Sequence, residues 1–145
     1  MTIQEMTSQD IARMLRRYAR SSSPAWPPDL LIRARCTVKE RKSLLPLVER
    51  IAVLSHNASR EGLLSIEDNI SKLEDPFLRM LLELVVDGCN PDWIRRVGTI
   101  WICARSESGL HVLRGLVSLA GTLALQMGRF VDLEMQSLLG EEFPE

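Results

Sequence analysis

The sequence predicts an all-α fold, and three observations carry that reading. Hydrophobic residues make up 46% of the 145-residue chain but aromatics only 5%, a balance that suits helices rich in Leu, Ile, Val and Ala and suits a β-sandwich poorly. Apolar residues recur at three- and four-residue spacing along most of the chain, which is the helical period. Pro and Gly fall where helices begin and end, at Pro76, Gly88, Pro91 and Gly109, rather than as regular hairpin turns. The architecture expected is a long antiparallel helical hairpin or bundle with a buried short connecting helix and a basic N-terminal helix. The length fits one domain with a real core.

Three segments follow: a basic amphipathic helix over 1–20, a Pro-rich linker and short basic segment over 21–42, and the helical domain proper over 43–140. In the first, Ile11, Met14, Leu15 and Tyr18 share a face while Arg13, Arg16, Arg17 and Arg20 crowd the others. Such a helix suits nucleic acid, a lipid surface or an acidic partner, and suits equally a solvated face on a packed helix. SSSPAWPP (21–28) holds three prolines and favours extended backbone, with Trp26 as a candidate anchor. Asp29 is expected to cap a short helix before the basic run ending at Lys42. The formal net charge of −1 hides an asymmetry, because residues 1–42 carry nine Lys and Arg against four Asp and Glu. The remainder is acidic, so the two parts attract each other or the basic arm seeks an outside anion.

From Ser43, the expected cap, to about Glu74 the periodicity predicts one long helix. Its middle is thin-skinned at Ala52, Ser55, Ala58, Ser59 and Gly62, and small residues permit a close helix crossing. Asp75-Pro76 ends it and opens a helix that is apolar almost all round, Phe77 to Val86, the densest core signal. Gly88 suits a left-handed helix end, and Asn90-Pro91-Asp92 restarts a helix as cap, first residue and favourable dipole charge. Trp93, Val97, Ile100, Trp101 and Ala104 form the expected stripe there. A break falls at Ser106–Gly109, and helix then continues through Leu116, Leu123 and Met127 to about Leu139.

Chemistry is sparse. His56 and His111 have no Cys, Asp or Glu partner at metal-ligand spacing, and no phosphate-loop, dinucleotide, zincin or nucleophile-elbow motif occurs. Cys89 lies beside a helix start but no base accompanies it. Cys36, Cys89 and Cys103 are an odd set at unrelated spacings, read as reduced cytoplasmic thiols. The expectation is a non-enzyme without metal or cofactor. No signal peptide is predicted. The apolar run Gly115–Met127 spans 13 residues, short of the roughly 20 a spanning helix needs. Arg60, Glu67 and Glu74 repeat seven apart, a spacing that suits a charged stripe that a partner reads and suits at least equally a solvated helix face with weak pairing.

Ala58-Ser59-Arg60-Glu61-Gly62-Leu63-Leu64-Ser65-Ile66-Glu67, then Asp75-Pro76-Phe77-Leu78, then Leu84-Val85-Val86-Asp87-Gly88 and Pro91-Asp92 follow a known order. The chain resembles the cytosolic segment of MotA-type flagellar stator subunits, relatives of the TolQ and ExbB proton-channel proteins, whose run is A-R-R-E-G-L-L-A-L-E, D-P-F-L, L-V-V-D-G, x-x-P-E. The resemblance implies a bacterial cytoplasmic helical lobe that meets the rotor's switch protein through the opening Arg and closing Glu. The Glu falls on Glu67, whereas the first Arg position is Ser59 and the second is Arg60. Family members span the membrane four times and conduct ions with a second subunit, which this chain is not expected to do. The function expected is a protein-interaction module binding a helical motor or secretion-apparatus component, or itself as a homodimer. The alternative is a small regulator whose Arg-rich first helix binds nucleic acid or lipid.

Overall fold

The computed structural model describes residues 28–105, 107 and 109–128. The expected basic helix with Arg13, Arg16, Arg17 and Arg20, the Trp26 anchor and the helix continuing past Gly128 lie outside these residues. All regular structure among the described residues is helical.

Helix α1, Pro28–Arg33, begins at its proline, so Asp29 sits inside the first turn, 3.8 Å from Arg33, rather than capping. Helix α2, Val38–Lys42, is capped by Thr37 in a reciprocal box. The Glu40 amide donates to Thr37 Oγ1 at 3.1 Å and the Thr37 amide donates to Glu40 Oε1 at 3.0 Å. Ser43, expected to start the long helix, instead closes α2, its hydroxyl donating to the Glu40 carbonyl. Helix α3, Leu45–Glu61, starts after Leu44 without a side-chain cap and carries Pro46 in its first turn, where the missing amide costs nothing.

The single helix expected over 43–74 is broken. Gly62 takes φ 95°, ψ 161°, a region essentially reserved for glycine. A 3₁₀ turn, Leu63–Ile66, and helix α4, Glu67–Ile70, follow it. Gly62 is therefore a reversal and not a close crossing, since nothing lies within 4 Å of where its Cβ would stand. The reversal turns Ile66, Ile70 and Leu73 into the core, where each is buried.

Helix α5, Pro76–Val86, begins as expected. Asp75 Oδ1 accepts the Phe77 amide at 2.9 Å, and Phe77, Leu78, Leu81, Leu82 and Val85 are buried. Gly88, at φ 83°, follows its end. Asn90 Oδ1 then accepts the Trp93 amide at 2.8 Å to start helix α6, Pro91–Ala104. The buried face of α6 is Ile94, Gly98 and Ile102, not the stripe expected; Trp93 is 51% and Ile100 67% exposed.

Helix α6 ends at Ala104, and helix α7, Leu110–Gln126, follows Gly109. Every residue from Val112 to Leu125 except Arg114 is buried, because α3, α5 and α6 all pack on α7. Each fully buried Leu there contributes about 1.5–3 kcal/mol. Two glycines set the α6–α7 approach. A Cβ at Gly98 would stand 2.7 Å from Leu119 Cδ1, and one at Gly115 3.0 Å from Ile102 Cγ1. Each helix lends a notch to the other's knob. Helix α7 thus finds its cover within the chain.

Candidate partner-binding site

Arg60 lies in the last turn of α3, Glu67 opens α4, and Glu74 lies between α4 and α5. All three are exposed, and none joins the ion pairs formed among the described residues. The seven-residue stripe expected of them does not form, because Gly62 and the turn after Ile70 interrupt the helix that would have aligned them. They remain surface charges on separate pieces of backbone.

Glu74 does border a cleft of about 320 Å³ where the start of α5, the end of α6 and the start of α7 meet. Its apolar wall includes Phe77 and Trp101, whose rings stack with centroids 5.7 Å apart at 23°. The Arg105 guanidinium lies over the Trp101 ring at 4.8 Å. Arg114, on α7, reaches Asp75 at 3.4 Å. Asp75 thus uses one oxygen to cap α5 and the other to tether α7. Glu107 and His111 complete the polar lining.

The rim is held from a distance. Arg33 Nη2 donates to the Arg105 carbonyl at 2.6 Å and the Glu107 carbonyl at 2.8 Å. The Gly109 amide returns a bond to the Arg33 carbonyl, and at φ 61° a Cβ on Gly109 would meet the Arg35 carbonyl at 3.0 Å. The end of α1 and the loop before α7 therefore form one hydrogen-bonded unit. Sequence reasoning read Glu74 as part of a charged stripe and not of a cleft, read Phe77 and Trp101 as core, where Phe77 is buried and Trp101 packs against it, and passed over Arg105 and Arg114. The signal present was Trp101 followed four residues later by Arg105, a spacing that brings a cation over an aromatic near a helix end.

No group of three His, Cys, Asp or Glu side chains among the described residues is placed to hold a metal ion. Cys36 is half-buried, and that burial pushes its thiol up from the ordinary value despite the opposing Arg41 charge. Cys89 is half-buried and its carbonyl accepts the Gln126 side-chain amide. His56 and His111 are exposed.

Comparison with known proteins gives partial matches. The chain is similar to Motility protein A of Borreliella burgdorferi, 41% identical over 49 residues, which are 34% of this chain and 19% of that protein. It is 30% identical to Motility protein A of Treponema pallidum over 103 residues, 65% of this chain and 40% of the relative. An uncharacterized Bacillus subtilis protein, YtxD, is 32% identical over 88 residues, 57% of this chain and 32% of its own length. The chain therefore spans 40% or less of each of these relatives. No family model matches it, and no solved structure does. Among the described residues no helix is long and apolar enough to cross a membrane.

Proposed function

We propose that the chain is a non-enzymatic, cytoplasmic protein-interaction module of motor-related ancestry that resembles the cytosolic lobe of a flagellar stator subunit and does not itself conduct ions. The observation that carries the reading is the similarity to Motility protein A, which reaches 103 residues. It is supported by the surface: Arg60, Glu67 and Glu74 are exposed and outside any ion pair among the described residues, the condition in which charges are available to a partner. The partner this favours is a helical motor or secretion-apparatus component, with the rotor's switch protein as the first candidate.

The test is a direct binding measurement between the purified full chain and that switch protein. The expected outcome is saturable binding that weakens about tenfold on Glu67→Lys and is unchanged when Arg13, Arg16 and Arg17 are replaced by Gln together. Binding instead to anionic vesicles or DNA, steeply lost with salt and abolished by the triple substitution, with no affinity for the protein partner, would replace this reading by the anionic-surface one.

A further inference from the structure

The cleft between α5, α6 and α7 has a chemistry that the stator resemblance does not assign. Its lining carries the carboxylates of Glu74, Asp75 and Glu107 against the guanidinium groups of Arg105 and Arg114. Arg114 and Asp75 satisfy each other at 3.4 Å. What remains is two exposed carboxylates, Glu74 and Glu107, in no ion pair among the described residues, beside an indole face that already carries a guanidinium at 4.8 Å. An aromatic face attracts cations through its quadrupole, and neighbouring carboxylates strengthen that preference. The volume of about 320 Å³ lies at the small end of ligand clefts. It admits one long side chain, not a helix.

We propose that this cleft is a socket for a single arginine side chain presented by a protein partner, and that Arg105 is its resident occupant, displaced when the partner arrives. The inference rests on the interaction-module reading for its source of arginine. The backbone around Arg105 is suited to the exchange, because its carbonyl is held by Arg33 at 2.6 Å. The side chain leaves the indole without the loop moving. Glu74 and Glu107 then receive the incoming guanidinium.

The socket is testable without a known partner by titrating the full chain with acetyl-arginine-amide and following the Trp101 indole N–H resonance, identified by its loss in Trp101→Phe. Three results are expected. Acetyl-arginine-amide shifts the resonance and acetyl-glutamate-amide does not. Glu74→Gln with Glu107→Gln weakens the arginine probe by about fivefold. Arg105→Ala, which removes the internal competitor, tightens it by about two- to fivefold. Thermal melts of these surface variants confirm that each is folded. A shift with the glutamate probe, an arginine shift indifferent to the double Gln variant, or an Arg105→Ala variant that binds no tighter overturns the proposal. The two readings fail separately. A chain that binds its protein partner, loses that binding with Glu67→Lys and shows no probe shift loses the socket and keeps the module. One that binds the probe and no protein loses the module alone.

Discussion

Thr37 and Glu40 show how much a pair of side chains fixes before any packing is considered. Each satisfies the other's backbone amide, which lets the five-residue α2 exist between the rim-holding α1 and the long α3. Replacing Thr37 with Ala is expected to cost about 1 kcal/mol. Glu40 adds a pH signature. The Thr37 backbone amide, then its hydroxyl, with a small contribution from His111, hold the Glu40 carboxyl below the ordinary Glu range. Its folded value is thus lower than its unfolded value. The stabilisation it contributes is present above the unfolded value and is lost as pH falls through the folded one. Melting temperatures from pH 7 down to about pH 3 should fall further for the wild type than for Glu40→Gln, since the other carboxylates titrate alike in both. Parallel curves would mean that the ionised box contributes nothing. Sequence reading found the cap at Asn90 and the helix start at Pro76 because a proline marks each; it did not read Asp75 as a cap. It missed Thr37 because no apolar run announces a helix of five residues.

At the scale of elements, Gly62 and Gly98 are opposite uses of the same residue, and substitution separates them. In an unbroken helix Gly62→Ala would stabilise by about 1 kcal/mol. At φ 95°, ψ 161° it should instead destabilise by about 1–3 kcal/mol, although the space around it is open. Gly98→Ala has a helical backbone but places a methyl 2.7 Å from Leu119, which is fully buried. Overpacking of that kind costs about 1–3 kcal/mol, less the propensity gained, and Leu119→Val should recover part of it only in the Gly98→Ala background. Urea denaturation measures both, and a stabilised Gly62→Ala would restore the continuous helix over 43–74. The run around Gly62 kept its apolar period on both sides of the break, so periodicity alone could not separate a reversal from a crossing. The face of α6 was misread for a related reason. Trp93 and Ile100 outweigh Gly98 on any hydrophobic scale, yet the notch faces the core because Leu119 needs the room.

For the molecule as a whole, the organising fact is that α7 is enclosed by α3, α5 and α6. Sequence reading singled out Phe77–Val86 as the densest core signal. It was less explicit about 110–126, whose glycines, Ser118 and Thr122 dilute the apolar count of a helix that is nonetheless buried from Val112 to Leu125 apart from Arg114. The cleft was illegible for a comparable reason: its residues come from three helix ends that only the packing of α5 and α6 on α7 brings together. A central helix with walls on several sides predicts one cooperative unit, because removing any wall exposes the same apolar surface. Leu54→Ala on α3 and Ile94→Ala on α6, both buried positions, should each cost about 2–5 kcal/mol. In each variant the unfolding midpoint followed by far-UV circular dichroism should coincide with that followed by tryptophan fluorescence. Two of the three tryptophans, Trp93 and Trp101, lie on α6, so in a Trp26→Phe background the fluorescence reports that wall directly. If Ile94→Ala separated the two transitions, with fluorescence moving first, α6 would be an independently opening lid. The cleft that it helps to line would then be open at a lower free energy than the rest of the core.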